Sequence, residues 1–289
     1  LGCWRHAPGV PETHPAIMSS EMTSPVQVRR VTLPGGVAEA GDAVAREEPL
    51  EIRVEGRSVA VVMRTPGHDE ELAAGFLVSE GVVKGSRDIL EVSQCPSTGN
   101  THGNIVDVLL AGSAVVNWDS LTRHVFSASS CGLCGKTSIE SVFQRFEPVV
   151  DNGFQVTAEL LTGLPARLRE AQEAFARTGG LHACAVFDER GAMVVLREDV
   201  GRHNALDKVL GWALQRGLLP FDRHVLLLSG RVSFEMMQKA LAAGVPVVAA
   251  ISAPTSLAVE FAEGCGQTLV GFLRGGTMNI YCHPGRVMT

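Results

Sequence analysis

At 289 residues the chain exceeds the roughly 100 to 200 residues usual for one domain, so two lobes are expected. Hydrophobic residues at 45%, charged residues at 19% and a mean hydropathy of +0.16 provide for a substantial core and exclude global disorder. A single Tyr, three Trp, a net charge of -6 and a pI near 5.9 exclude an aromatic base-stacking module and a basic footprint for nucleic acid, but not a local cationic pocket for a small phosphate-bearing ligand.

No run of about eighteen apolar residues suggests a membrane span, and the first residues lack the charged-then-apolar order of a secretory signal. Seven cysteines, of which only Cys131 and Cys134 are close neighbours, argue for reduced thiols rather than a disulfide framework. A cytoplasmic protein with no membrane partner is the expectation.

In chain order, residues 1–25 scatter Pro, His and Gly without periodicity and are assigned to a disordered tail. Residues 26–125 read as a small N-terminal α/β lobe. Leu50–Val54 alternates, Glu55-Gly56-Arg57 turns, and Ser58–Met63 is a second strand. Thr65-Pro66 followed by Asp69, Glu70 and Glu71 opens a helix that runs through Leu77 and stops near Gly81. The acids are explained by the first helical turn rather than by acid catalysis, and His68 is a weak acid–base candidate. Ile105–Leu110 gives one more strand. Residues 126–137 form a mobile cysteine loop, and residues 138–289 form the main α/β domain. There, Ala158–Arg177 is helical, and Leu181–Phe187 and Met193–Arg197 make a hairpin. Next come a helix over Ala205–Arg216, a strand over His224–Leu228, a helix over Phe234–Ala243, a strand over Val245–Ala250 and a helix over Thr255–Glu263. Thr268–Phe272 and Met278–Cys282 close the domain. This rhythm predicts parallel strands in a central sheet covered on both faces.

Chemistry concentrates in Cys131-Gly132-Leu133-Cys134-Gly135. The glycines and the Ser-Ala-Ser-Ser approach free the loop to move. Lys136 and a helix start near Thr137 favour thiolate at Cys131 or Cys134, the state needed to accept sulfur. Two competing uses of the pair remain. Half of a structural zinc site would need two further ligands in a close pair, whereas Cys95, Cys184, Cys265 and Cys282 are isolated and His182-Ala183-Cys184 sits in an apolar strand. A dithiol redox pair belongs at a strand-to-helix junction rather than in a small-residue loop. No resident metal is expected. Cys184, Cys265 and Cys282 read as inert core thiols.

Three segments follow predicted strands, where α/β sheets bind ligands: Asp199-Val200-Gly201-Arg202-His203-Asn204, Ser229-Gly230-Arg231 and Arg274-Gly275-Gly276-Thr277. Glycine allows close backbone approach, helix N-termini offer N–H donors and Arg pairs with phosphate, so together they suggest a phosphorylated ligand. Each also has a structural explanation: Asp199 and Asn204 as helix caps, Gly275-Gly276 as a hairpin turn, Arg202 as a surface ion pair and His203 as a hydrogen-bonded structural histidine.

Taken together, Thr65-Pro66-Gly67-His68-Asp69-Glu70-Glu71-Leu72-Ala73-Ala74-Gly75-Phe76-Leu77, the cysteine loop, Asp199–Asn204, Ser229-Gly230-Arg231 and Phe272-Leu273-Arg274-Gly275-Gly276 resemble the FdhD family of formate dehydrogenase accessory sulfurtransferases. The resemblance runs from about Val28 to near the C-terminus. It implies a sulfur carrier that takes sulfane sulfur from a cysteine desulfurase and passes it to the molybdenum or tungsten bis(guanine dinucleotide) cofactor before insertion into formate dehydrogenase. By the same resemblance Cys131 bears the persulfide, Cys134 assists or resolves, and Phe272, Leu273, Arg274, Gly275, Gly276 and Thr277 bind the cofactor. The segments with Gly201, Arg202, His203, Ser229, Gly230 and Arg231 suit its nucleotides. The implied fold of the main domain is a three-layer, cytidine-deaminase-like α/β architecture beside the smaller lobe. Deamination itself is not expected, because His182-Ala183-Cys184 lacks the glutamate and no Pro-Cys-x-x-Cys follows. A homodimer is the expected assembly.

Overall fold

The computed structural model describes residues 22–95, 103–112, 116, 118–121 and 146–289. Its first element is a ribbon that no periodicity announced: β1 (Thr23–Thr32) pairs antiparallel with β2 (Gly36–Ala45). Thr23, Ser24 and Pro25, assigned to the tail, therefore begin a strand. Most of the ribbon is exposed, and its apolar alternation is short. Only its base is anchored, where Met22 and Ala45 pack with Ala174 and Leu181.

The next strands follow their pattern. In β3 (Glu48–Val54) Leu50, Ile52 and Val54 are fully buried, and a turn with Glu55 and Gly56 at positive φ leads to β4 (Arg57–Arg64). Helix α1 (Asp69–Ser79) follows, then β5 (Ile89–Gln94) and β6 (Ile105–Leu110), giving a four-stranded sheet in the order β4-β3-β6-β5. A short helix α2 (Trp118–Leu121) ends this region.

The remainder is built on a six-stranded sheet. After β7 (Val156–Thr157), a helix expected as one over Ala158–Arg177 is two, α3 (Ala158–Ala171) and α4 (Glu173–Thr178). The break falls at Gln172 because the Glu198 carboxylate accepts from Ala174 N and Phe175 N (3.1 and 2.8 Å), taking up the first donors of a new helix. Then come β8 (His182–Phe187), β9 (Met193–Asp199), α5 (Arg202–Gln215), β10 (Val225–Leu228), α6 (Phe234–Ala242), β11 (Val247–Ala250), α7 (Ser256–Cys265), β12 (Thr268–Arg274), β13 (Thr277–Cys282) and β14 (Val287–Met288). The order is β13-β12-β11-β10-β8-β9. The parallel pairing predicted from the alternation holds for β10, β11 and β12 only; β8, β9 and β13 pair antiparallel.

Strand residues divide between two cores with period two. Ala183, Ala185, Phe187, Val225, Leu227, Val247 and Ala249 meet α3. Cys184, Val186, Leu226, Leu228, Val248 and Ala250 face α5, α6 and α7 in a core that continues through α1 to the four-stranded sheet. Helices thus cover both faces, in a mixed α/β fold. Helix α1 crosses α5 backbone against backbone: a Cβ on Gly75 would lie 1.7 Å from the Asp207 carbonyl oxygen, and one on Gly211 would lie 1.8 Å from that of Glu71. Each glycine follows by four residues the carbonyl that the other helix approaches, so the contact is reciprocal and admits no side chain at either position.

Candidate functional site

The segment after β4 and the segment after β9 are interlocked. Asp199, fully buried, accepts from Gly201 N (2.8 Å) and Asn204 Nδ2 (2.9 Å) on one oxygen and from Thr65 N (3.1 Å) on the other, which also lies 2.7 Å from Lys208 Nζ. Lys208 donates to Thr65 O, Asn204 to Met63 O, and Val200 N to Thr65 Oγ1. Asp199 and Asn204 are therefore not caps of α5, whose N-cap is Gly201 without a side-chain bond. They join the two sheets. Arg64 adds a bidentate pair with Asp69 (2.9 and 2.7 Å), and Arg197 adds another with Glu71 (2.6 and 2.8 Å). Burial works against the charge on Glu71, but Arg197 and His68 outweigh it and hold the carboxyl at about 2. His68 Nδ1 is 3.3 Å from Glu71, and burial depresses the His68 pKa. The first-turn acids Asp69 and Glu71 thus serve the packing of α1.

Beside this network lies the edge formed by the C-terminal ends of β10, β11 and β12. Because β8 runs antiparallel to β10, its first residue, His182, sits at the same edge. Ser229 Oγ accepts from Ala183 N (2.9 Å), and Gly230 is pressed against the His182 ring, with an added Cβ only 3.1 Å from Nδ1. Arg202 is near enough that its Cδ would be 3.9 Å from that Cβ. His203 and Glu235, on the first turns of α5 and α6, bring Nε2 and Oε2 to 2.9 Å, though without hydrogen-bond alignment. One turn further on, Lys239 donates to both oxygens of Asp207 and to Ser79 Oγ. Burial raises the pKa of Asp207, so the proximity of Lys239 is what favours its charge. Gly201, Arg202, His203, Ser229 and Gly230 thus gather at one edge, as does the exposed Arg231 by its place in the same loop. Two residues the sequence reading did not assign to a ligand, His182 and Glu235, join them; the rule that a strand antiparallel to its neighbour contributes its start to the ligand edge could have found the first.

The third segment leaves the sheet at the same side. Phe272 has φ 52, a left-handed conformation strained for a bulky residue, and its N–H donates to Ser252 O (3.0 Å) after β11. The preceding Gly271 has no room for a side chain: a Cβ would lie 2.9 Å from Pro254 and 3.0 Å from Tyr281. The Arg274 guanidinium is 5.4 Å from the Phe272 ring centroid. Gly275 and Gly276, at φ 60 and 75, make the tight turn into β13, and Thr277 Oγ1 bonds back to Arg274 O. Leu273 is fully buried in the core against α3, so it can meet a ligand only through its backbone.

Cys131 and Cys134 lie outside the described residues. Among the described cysteines, burial raises the pKa of Cys184 far above the ordinary thiol range, that of Cys282 to about 11 with Glu263 adding, and that of Cys265 as well. Among the described residues no group of three His, Cys, Asp or Glu side chains is placed to hold a metal ion, and no helix is long and apolar enough to cross a membrane.

"Sulfur carrier protein FdhD" of Streptomyces coelicolor is 52% identical over 258 residues, covering 88% of this chain and 92% of that protein. The protein of the same name in Mycobacterium tuberculosis is 52% identical over 254 residues (85% and 92%), and that of Sulfolobus acidocaldarius is 40% identical over 266 residues (91% and 99%). A crystal structure from Desulfotalea psychrophila, of a protein classed as a formate dehydrogenase accessory protein, shares the fold with a TM-score of 0.71 at 24% identity, over 92% of this chain and 100% of that one. The family model described as "FdhD/NarQ family" matches residues 45–288, and the chain belongs to that family.

Proposed function

We propose that this protein is a cytoplasmic sulfurtransferase that carries sulfane sulfur on Cys131 from a cysteine desulfurase to the molybdenum or tungsten bis(guanine dinucleotide) cofactor destined for formate dehydrogenase. The observation that carries this reading is the spacing of the thiols: Cys131 and Cys134 form a close pair, whereas Cys95, Cys184, Cys265 and Cys282 are isolated along the chain. Relatives at about half identity are named sulfur carriers, yet Cys184, Cys265 and Cys282 are held protonated by burial and make poor nucleophiles. The Cys131-Gly132-Leu133-Cys134 loop, with Lys136 beside it, supplies the reactive pair. In the loading step the Cys131 thiolate attacks the outer sulfur of the desulfurase persulfide. A sulfur–sulfur bond forms at Cys131 as the one on the desulfurase breaks, and the desulfurase cysteine leaves as thiolate, with no net oxidation. Cys134 assists the hand-over to the cofactor or resolves the Cys131 persulfide.

The cofactor is cargo. The strand-end edge suits it through cations at Arg202, Arg231 and Arg274, close backbone at Gly230 and an aromatic ring at Phe272. The mixed sheet with helices on both faces supports reading the larger part as cytidine-deaminase-like in its layers, with the deaminase chemistry lost. Intact-mass spectrometry after incubation with a cysteine desulfurase and cysteine tests the proposal. A gain of about one sulfur mass is expected in the wild type and in Cys134→Ala but not in Cys131→Ala, and formate dehydrogenase activation by Cys131→Ala at the wild-type level would refute it.

A further inference from the structure

The β1–β2 ribbon is long for what holds it. Its strands pair over all their residues from Thr23–Ala45 at the base to Thr32–Gly36 near the tip, and a two-stranded ribbon is marginal in water unless something packs against it. Met22 and Ala45 anchor the base, but none of the apolar residues further out joins a hydrophobic core among the described residues. One face carries Val26 and Val28 on β1 with Ala40 and Val44 on β2. The tip adds Val31, Leu33 and Val37, which are 62%, 86% and 66% exposed.

The cross-strand register decides what can cover that face. Val28 stands opposite Ala40, Val26 opposite Asp42 and Arg30 opposite Ala38, so on this face Arg30 lies one step outward of the Val28–Ala40 pair and Asp42 one step inward. The two charges are not spent within the chain. Arg29 pairs with Glu39 on the other face, whereas Arg30 has no ion-pair partner among the described residues, and Asp42 accepts there only from the adjacent Ala43 N (2.8 Å). A second ribbon laid antiparallel on this face, with two-fold symmetry about Val28 and Ala40, sets Arg30 of each copy over Asp42 of the other. The same placement carries each apolar tip to the other copy's base, where Phe175 and Val200 are only partly buried.

We propose that the face centred on Val28 and Ala40 docks the same face of a second copy of this chain, with reciprocal Arg30–Asp42 pairs fixing the register. The face is about 33 Å long and about 10 Å wide, on the order of 300 Å² per copy. A stable complex buries roughly 800 Å² per partner, so the tips share the contact and the dimer assembles with rising concentration. The contact is independent of the carrier chemistry proposed above.

Sedimentation velocity of the full chain over a concentration series tests it. The wild type is expected to pass from monomer to dimer by about 100 µM. Arg30→Glu and Asp42→Arg each set like charges against one another twice per dimer and are expected to weaken it about tenfold or more. The double variant, which exchanges the two charges, returns the dimer to within about threefold of the wild type, and Val28→Lys at the centre abolishes it. Because these side chains lie outside the cores, unaltered thermal melting curves confirm the fold of every variant. A wild type that stays monomeric leaves the face to a different partner and overturns the proposal. A dimer that survives Val28→Lys places the interface elsewhere on the chain, and a double variant no better than the single ones rules out the register; either result also overturns it.

Discussion

Asp199 and Arg202 are three residues apart, yet Asp199 has donors on both carboxylate oxygens while Arg202 leaves a buried Nε without a partner among the described residues. The same contrast separates the α1–α5 crossing from the strand-end edge. At the crossing, Glu71, Asp199 and Lys208 each take a partner from the other sheet's connection, and Asp69 is held by Arg64 at the end of the preceding strand. At the edge, Phe272 is strained and buried atoms such as Arg202 Nε and His203 Nδ1 have no hydrogen-bond partner among the described residues. Complete pairing makes a joint that holds one geometry, whereas incomplete pairing costs stability and is kept where a ligand supplies the missing half. One short motif contains both, so its residues cannot be assigned a role collectively.

The sharpest way to break the comparison is at the crossing. Gly75→Ala or Gly211→Ala would force the two helix backbones apart and is expected to cost on the order of 5 kcal/mol, enough to leave little folded protein. Near wild-type urea midpoints for either variant would show that the helices can separate. Next in size, Lys208→Met leaves the Asp199 charge buried and should cost about 4 kcal/mol. The double variant with Asp199→Asn should recover much of that loss, and an additive double-mutant cycle would mean that the pair is not coupled.

The smallest effect sharpens the picture through pH. The folded Glu71 carboxyl titrates at about 2, below its unfolded value of 4.5. Its contribution, on the order of 3 kcal/mol, is therefore complete above the unfolded value and is lost as pH falls from there toward 2. Arg197→Met should lose that contribution at neutral pH and flatten the acid dependence across the same window. Denaturation midpoints taken through the acid range test this, and an unchanged acid slope would place the dependence elsewhere.

Elements with a buried face were legible because burial imposes a period. β3, β6, β10 and β11 appear within a residue or two of their expected bounds, and the helices over Arg202–Gln215 and Phe234–Ala242 were foreseen almost entirely. The β1–β2 ribbon was not, since its outer half is exposed and the alternation of half-buried Val26 and Val28 with exposed Gln27 and Arg29 is short. β5 was missed as an edge strand whose pattern is broken by a bulge between Ile89 and Glu91. At the site, the glycine-and-arginine segments were readable from their place after strands. Leu273 was read as a ligand residue with no sign that its side chain is sealed in the core, and His182 was overlooked because its strand begins, rather than ends, at the edge.

By itself, then, the sequence determined the alternation of strands and helices, the location of the cysteine loop and the motifs that mark the family, all carried by neighbours along the chain. Only the tertiary structure decided which polar residues are spent on one another. Thr65 meets Asp199 across 134 residues and Glu71 meets Arg197 across 126. Pairing of charges depends on distances of a few ångströms in space, and local periodicity holds no information about them.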